Sequence, residues 1–513
     1  MGTDQTKVSG PDLAQGVAAA ELSDGQMLAG HVGQDPVLLA RSGAEIFAIG
    51  AVCSHYNGPL GEGLLVGDTV RCPWHHACFS VRTGEALQAP ALSPVACWLV
   101  EQRDGRVFVR SRKLSASTDD SRAATEGKTP ERIVIVGAGG AGFAAAEMLR
   151  REHYAGRIVM LSHEGAAPVD RPNLSKDYLA GTAPEDWIAL RPDDFFSQND
   201  IDLRLGQRAA RIDLKSRAVE LADGEAIRFD RLLIATGAEP NRLSIPGFDL
   251  PHVSTLRSLA DCRGLIAQAT HARRAVVLGA SFIGLEVAAA LRARSIEVQV
   301  VAPDAHPMER ILGRALADVI RALHEEHGVH FHLGETPVAI DARQVHLKSG
   351  LSLDADLVVA GVGVRPRTQL AEDAGLAIDR GVVVDSQLQT SASGIFAAGD
   401  IARWPDPHSG ERIRVEHWVV AQRQGQVAAL NMLGRRQRFD AVPFFWSQHY
   451  DVPINYVGHA ESWDDAQIEG DVAARDCLVR YKRGGQVLAV ASIYRDLDSL
   501  KAELDMERQV AAR

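Results

Sequence analysis

Between residues 26 and 110 the apolar positions come in short runs, for example 37–40 and 45–49, with Ser42-Gly43 placed to turn the chain between those two. Runs this short, bounded by turn residues, predict strands and make the segment a small all-β unit. The pattern then stops. Residues 111–130, SRKLSASTDDSRAATEGKTP, hold no aromatic residue and one leucine, too little apolar surface to offset the entropy of ordering, so a flexible linker is predicted. From residue 131 apolar strands are followed by alanine-rich helices. Residues 133–136 run into Gly137-Ala138-Gly139-Gly140-Ala141-Gly142, and residues 275–278 run into Gly279-Ala280-Ser281-Phe282-Ile283-Gly284, 142 residues further on. That spacing fits two nucleotide-binding folds better than a short solenoid repeat. After Phe439 strands return: 475–482 and 487–494 are predicted to pair as a hairpin about Arg483-Gly484-Gly485, and a polar amphipathic helix closes the chain.

Composition narrows the function. The 513 residues make three or four domains at roughly 150 residues each, and 46% hydrophobic residues exclude a disordered tail protein. With 55 Lys and Arg against 66 Asp and Glu, the net charge of −11 argues against nucleic-acid binding. Six cysteines, Cys53, Cys72, Cys78, Cys97, Cys262 and Cys477, are too few and too scattered for a secreted disulfide scaffold, so a reducing, cytoplasmic location is expected. No apolar run reaches the roughly 18 residues of a membrane span, and MGTDQTKVSGPDLAQG has no basic patch leading into a hydrophobic stretch. Neither membrane insertion nor a signal peptide is expected. Gly2 and Thr6 fit the loose myristoylation pattern, which is short and serves only eukaryotic hosts, so no lipid anchor is expected either.

Cys53-Ser54-His55 and, after 16 intervening residues, Cys72-Pro73-Trp74-His75 place one Cys/His pair in each of two turns. A [2Fe-2S] cluster takes this composition when two thiolates hold one iron and two neutral imidazoles the other. The pattern resembles the Rieske family, with CPWHHACFSVRTGEAL as its second ligand loop, and assigns Cys53, His55, Cys72 and His75 as ligands. A structural zinc site also accepts two Cys and two His, though zinc sites usually pair cysteines two to four residues apart. A third reading leaves the four as unliganded core residues. Two neutral imidazoles in place of thiolates lift a cluster's potential into about −150 to +300 mV, downhill from a reduced flavin. High-potential Rieske proteins brace their loops with a disulfide; no cysteine closely follows His55, so a ferredoxin-type cluster is expected. Cys78 and Cys97 are read as buried inert thiols. His76 is read as a solvated loop histidine, with a proton-coupled role beside the cluster as the alternative.

A glycine-rich turn between strand and helix lets the backbone approach a pyrophosphate and aims the helix N-terminus at its charge. Gly137, Gly139 and Gly142 make the first such turn, and Glu164 falls at the end of the next strand, where a carboxylate holds a ribose hydroxyl. With PVDRPNLSK (168–176), FDRLLIATGAEP (229–240) and SGIFAAGDIA (393–402), the segment from about 131 to 500 resembles flavin-dependent ferredoxin reductases and the apoptosis-inducing-factor branch of the two-dinucleotide-fold flavoproteins. The resemblance makes the first site an FAD site. It implies that Arg171 and Lys176 contact the flavin, that Thr236 and Gly237 close the first half of the site, and that Asp400 bonds the ribityl chain or the pyrophosphate. It places an aromatic of Phe444-Phe445-Trp446-Ser447-Gln448, Trp446, over the flavin edge. Glu416-His417-Trp418 also matches, with Trp418 divided between that role and core packing.

The second turn, Gly279, Ser281 and Gly284, has serine where the middle glycine stands, so some crowding of the pyrophosphate is expected. The usual carboxylate at the next strand tip is absent, and Asp304 comes two residues late, as in apoptosis-inducing factor; NADH is favoured. NADPH is admitted because His306 and Arg310 are placed to meet a 2′-phosphate. The resemblance adds Gly363 to this NAD(P)H site. It also implies a Lys–Glu pair beside flavin N5, here Lys176 and Glu286, to orient the flavin and tune its potential; the plainer reading makes Glu286 an ordinary first-turn helix acid. No cysteine lies between Cys97 and Cys262, which argues against dithiol chemistry at the flavin. His324-Glu325-Glu326-His327 lacks the His-Glu-x-x-His spacing of zinc hydrolases and is expected on a solvated helix face.

The expected architecture is multidomain. A small all-β Rieske domain (1–110) and a linker (111–130) precede two α/β dinucleotide-binding domains of glutathione-reductase type, for FAD (131–250 and 373–438) and NAD(P)H (251–372). A C-terminal α+β reductase domain (439–513) follows. The expected function is electron transfer from NAD(P)H through FAD to the chain's own cluster and out to an acceptor protein such as an oxygenase or haem protein. The linker lets the small domain swing, at an effective concentration of roughly millimolar. Two rivals are an apoptosis-inducing-factor-like NADH sensor with little turnover and a self-sufficient Rieske oxygenase. The latter is disfavoured because no 2-His-1-carboxylate iron site is visible on a helix. The acceptor and the oligomeric state are not specified by these motifs.

Overall fold

The computed structural model describes residues 9–113 and 129–511. Most of the expected linker, 114–128, lies outside the described residues, as do Gly2 and Thr6. Ser111 and Arg112 end a strand, Arg106–Arg112, so the β unit runs slightly further than residue 110. Among the described residues no helix is long and apolar enough to cross a membrane. They fall into two compact units, 9–113 with 496–508, and 129–495 with 509–511.

The first unit is built on an antiparallel sheet in the order Val17–Ala18, Arg106–Arg112, Cys97–Arg103, Glu45–Gly50, Asp35–Ser42, Met27–Val32. Alternate residues of a strand face opposite sides, and Asp35–Ser42 uses both. Leu38 and Ala40 enter a core with Cys53 and Cys72, while Val37 and Leu39 enter a second core with Trp98 and Val109. A smaller antiparallel sheet, Leu64–Val66, Thr69–Arg71, Cys78–Ser80, Ala86–Gln88, carries the second Cys/His loop. The C-terminal helix, Asp496–Ala511, also packs in this unit as far as Arg508. Its Glu503, 1% exposed, meets His76 Nδ1 at 2.5 Å, and Glu507 pairs with Arg71 at 2.7 Å. His76 is therefore buried rather than solvated, because a residue 427 positions away supplies its partner. Glu503→Ala should cost about 1–3 kcal/mol by removing a carboxylate partner from a buried imidazole. Calorimetry should show a lower transition temperature for the first unit and none for the second.

The second unit repeats one plan twice. Its first parallel sheet runs Ile201–Arg204, Arg157–Leu161, Arg132–Val136, Arg231–Ile234, Ile395–Ala397, the last strand returning after the second fold is complete. The second runs Val253–Thr255, Leu357–Ala360, Arg274–Leu278, Glu297–Ala302, Val329–Leu333. Each sheet has a three-stranded antiparallel meander inserted in its sequence, 209–228 and 337–354. Arg132–Val136 feeds helix α1 (Gly140–Arg151), and Arg274–Leu278 feeds α2 (Phe282–Ala293). Helix α3 (Glu309–Glu326), broken at Gly313, follows in the second fold, and α4 (Trp418–Met432) packs on α1. Both glycine turns are sterically required. A Cβ on Gly142 would lie 1.9 Å from the Gly137 carbonyl oxygen, and one on Gly284 would lie 2.3 Å from that of Gly279. The remainder is an antiparallel sheet, Phe444–His449, Val452–Gly458, Gln486–Ile493, Asp476–Arg483, Asp465–Asp471, which contains the expected hairpin with Arg483 opposite Gln486.

Candidate functional site

The two Cys/His loops of the first unit share one backbone plan. Cys53 N–H donates to Gly58 O at 2.9 Å and its carbonyl accepts from Asn57 at 3.0 Å; Cys72 N–H donates to Ala77 O at 2.8 Å and its carbonyl accepts from His76 at 3.2 Å. The fifth residue of each loop, Asn57 or His76, has the left-handed φ (61° and 59°) that folds the loop back. Both thiols are buried and bond each other, which draws the Cys53 thiol down and pushes Cys72 up; burial reinforces the second shift. Burial holds His55 at about 3, so it is a neutral imidazole at neutral pH. The His55 and His75 rings sit 5.0 Å apart and nearly perpendicular.

These four residues fit a [2Fe-2S] group. A Cβ at Gly58 would stand 2.7 Å from Cys72 Sγ, so the glycine keeps a side chain off the sulfur. Among the described residues no three His, Cys, Asp or Glu side chains close on a single ion, and a cluster whose ligands divide into two pairs does not ask that of them. Cys78 and Cys97 are buried, as expected, and neither is in a disulfide.

In the second unit a cavity of about 1350 Å³ is lined by Gly137, Gly139, Glu164, Arg171, Lys176, Thr236, Gly237, Asp400 and Trp446 of the expected FAD residues, and by Glu286, Ser281 and Gly363. Gly142, Gly279, Gly284 and Asp304 do not line it. The first three are framework of the turns, and Asp304 instead pairs with the exposed Arg310 at 2.9 Å. Ser281 caps α2 by accepting from Gly284 N–H and donates to Gly361 O at 3.0 Å, a second use for the residue expected only to crowd a phosphate. Glu164 accepts from Arg171 at 2.6 Å. Asp400 is paired with Arg257 at 2.6 Å, a partner that no motif announced. Trp418 lines the cavity, and its ring lies 3.0 Å from a Cβ built on Gly140.

Lys176 Nζ stands 2.9 Å from Glu286 Oε2 although they are far apart in sequence. Glu286 is 5% exposed and accepts from two further groups, Ser175 Oγ and Ser447 Oγ, both at 2.5 Å. A buried carboxylate with a cation and two hydroxyls is fully served, which is more than an ordinary first-turn acid needs. Asp170, close by in the 168–176 segment, is raised to about 6 by burial. His324 is completely buried against His449 and not solvated, because the helix turns that residue inward while His327 stays exposed.

Two nucleotide-type folds sharing one cavity, together with a two-Cys, two-His site, define the class: a two-dinucleotide-fold oxidoreductase carrying an iron-sulfur domain. Comparison with known proteins agrees. Residues 131–425 match pyridine nucleotide-disulphide oxidoreductases, 15–99 match the Rieske [2Fe-2S] domain, and 444–512 match the reductase C-terminal family. The chain is 34% identical over 495 residues to apoptosis-inducing factor 3 of Homo sapiens, covering 93% of this chain and 81% of that one. It is 37% identical over 375 residues to rhodocoxin reductase of Rhodococcus erythropolis, covering 72% and 88%. A solved covalent putidaredoxin reductase–putidaredoxin complex aligns with TM-score 0.72 at 32% identity, covering 74% of this chain and 94% of that one. A ferredoxin reductase of Rhodopseudomonas palustris aligns with TM-score 0.70 at 35% identity, covering 73% and 95%. The chain belongs to the pyridine nucleotide-disulphide oxidoreductase family, with a Rieske domain ahead of the reductase core.

Proposed function

We propose that the chain is an NAD(P)H-dependent flavoprotein reductase that passes electrons through FAD to its own Rieske cluster and on to an acceptor protein. The observation that carries this reading is the buried Lys176–Glu286 pair opening on a cavity lined by residues of both glycine turns. FAD, when bound, accepts a hydride and gives up electrons singly, and the cluster takes them one at a time. The chain's own residues do the rest. The Gly137–Gly142 turn and the N-terminus of α1 receive the pyrophosphate, Glu164 a ribose hydroxyl, and Asp400 the ribityl or pyrophosphate region. Arg171 and Lys176 touch the flavin, Thr236 and Gly237 close the site, and Trp446 shields its edge from water. Gly279, Ser281, Gly284, Gly363 and Asp304 receive the nicotinamide dinucleotide, with Asp304 favouring NADH. We assign 131–250 and 373–438 to FAD, 251–372 to NAD(P)H, 439–513 to the reductase C-terminal segment and 1–110 to the cluster. The relatives named reductases support this reading; cysteines outside any disulfide suit a reducing, cytoplasmic compartment.

Anaerobic titration of the holoprotein with NADH, then NADPH, tests it by following flavin absorbance and cluster paramagnetic resonance together. Flavin bleaching with a Rieske-type signal is expected, with NADH the tighter titrant. A stable charge-transfer complex with the cluster still oxidised would overturn the reductase reading in favour of an apoptosis-inducing-factor-like sensor.

A further inference from the structure

Behind Glu286 runs a line of buried polar side chains that hydride transfer itself does not use. Glu286 Oε1 meets Ser447 Oγ at 2.5 Å, Ser447 Oγ meets His449 Nε2 at 3.1 Å, and His449 Nδ1 meets His324 Nε2 at 3.1 Å. His324 Nδ1 then meets the Tyr450 hydroxyl at 3.3 Å. Ser447, His449 and His324 are 1% exposed or less, whereas Tyr450 is half-buried and stacks on the exposed His327 at 3.6 Å. Three separate elements supply the line: α2 gives Glu286, the strand Phe444–His449 gives two residues of one face, and α3 gives His324. Tyr450 sits at the turn after that strand with φ 58°. The apolar neighbours Leu323, Tyr456 and Ile454 show that core packing here is otherwise hydrophobic.

The hydrogens of this line follow from its inner end. Ser175 Oγ and Ser447 Oγ both donate to Glu286, with Lys176 Nζ at 2.9 Å, so both carboxyl oxygens act as acceptors. The single hydroxyl hydrogen of Ser447 is therefore committed to Glu286, and His449 Nε2 must be the N–H that donates to Ser447. Burial, with Lys176 nearby, holds His449 at about 3; burial also drives His324 well below its usual value, aided by His449 and His327. Both imidazoles are thus neutral with one N–H each. His449 Nδ1 is then bare and accepts from His324 Nε2–H, and His324 Nδ1 is bare and accepts from the Tyr450 hydroxyl. Every bond points toward Glu286.

We propose that Ser447, His449, His324 and Tyr450 form a proton-conducting chain between Glu286 and the outer end at Tyr450. This rests on the reading that Lys176 and Glu286 stand beside the flavin. The stoichiometry requires an exit: NADH gives NAD⁺, one proton and two electrons, and two one-electron transfers to the cluster remove the electrons alone. The proton left at the flavin edge passes to Glu286 Oε, and the row then turns outward: the Ser447 and Tyr450 hydroxyls rotate and each imidazole exchanges its Nε2–H for an Nδ1–H with solvent protons, a reset that moves no net proton. Glu286 then gives its proton to Ser447 Oγ as Ser447 gives its own to His449 Nε2. His449 Nδ1–H passes to His324 Nε2, His324 Nδ1–H to the Tyr450 oxygen, and the Tyr450 proton to water. One proton leaves, no atom is gained, and the row ends in the inward-pointing arrangement with Glu286 ionised, which is the arrangement derived above.

Two measurements test this. In holoprotein reduced by NADH and then reoxidised by ferricyanide beside a pH-indicator dye, His449→Gln and Tyr450→Phe should each slow proton appearance at least about tenfold, a modest share of what positioned acid–base groups supply. Proton appearance should also show a larger solvent deuterium effect, while flavin bleaching by NADH keeps its rate. Nitrogen-15 resonance of histidine-labelled protein, assigned with the His449 and His324 variants, should find both imidazoles as Nε2–H tautomers, with or without FAD. An Nδ1–H tautomer or an imidazolium at either position, or unchanged proton release in Tyr450→Phe, would overturn the proposal; Tyr450→Phe decides if His449→Gln does not fold. Lys176→Met keeps the underlying reading separate: slowed bleaching sustains the flavin-edge assignment whatever the proton result, and unchanged bleaching removes it.

Discussion

Cys72→Ala in the full chain is expected to let NADH bleach the flavin at the parental rate while no electron reaches a cluster. Cys72 is one of two thiols hydrogen-bonded to each other in the first unit's core, and neither loop has a spare sulfur: Cys78 falls in the strand Cys78–Ser80 and Cys97 in the strand Cys97–Arg103. Loss of a ligand should exceed the roughly 10–100-fold cost in metal affinity that changes around a site produce. Purified protein should therefore carry essentially no iron and no Rieske-type resonance. The expected contrast is sharp because the flavin cavity is lined wholly by residues of the second unit. Iron analysis and stopped-flow absorbance check the two halves separately. Slowed bleaching would mean that the units depend on each other, and full iron content would remove Cys72 from the ligand set. His75→Ala should reproduce the result with the sulfurs intact.

How much of this was legible in the chain divides by range. The ligand loops, the glycine turns and the hairpin about Arg483-Gly484-Gly485 are local patterns, written in residue types a few positions apart, and the structure has all three. The 176–286 pair became legible only through a family resemblance, since nothing in either segment names the other. What stayed hidden depends on contacts across hundreds of positions. His76 looks like a loop histidine until Glu503 of the last helix reaches it, and a polar amphipathic helix carries no mark of which unit it will cover. His324 sits in a charged stretch, Leu323-His324-Glu325-Glu326, whose average polarity conceals that one position turns inward. A helical reading at period 3.6 puts His324 on the face of Leu316, Ala317 and Ile320, all buried, and that signal was available. Ser447 and His449 carry an even fainter one, alternate positions on a strand whose neighbour Phe445 is half-buried.

Because the two glycine turns are built alike, equivalent lesions in them should have unlike consequences, and the difference identifies which cofactor each turn holds. Gly142→Ala puts a Cβ 1.9 Å from the Gly137 carbonyl oxygen, and Gly284→Ala puts one 2.3 Å from that of Gly279. Backbone lies on both sides of each contact, so relief requires the helix to move off the turn rather than a side chain to swing away. Moving α1 withdraws the N–H groups that would meet a pyrophosphate; two such bonds at about 1.5 kcal/mol each amount to roughly 3 kcal/mol, or about 100-fold in affinity. Gly142→Ala should therefore purify largely without flavin and recover it only at about 100-fold higher FAD, read by fluorescence of the released flavin. Gly284→Ala should keep its flavin and its cluster but need more NADH for half-maximal bleaching, by up to about 100-fold. Ser281 adds a distinguishing feature, because it caps α2 and bonds Gly361, so the second turn has a hydroxyl bracing it that the first lacks. Its loss should be the smaller of the two. Flavin loss in Gly284→Ala with normal flavin in Gly142→Ala would exchange the two assignments, and with them the direction in which the hydride crosses the cavity.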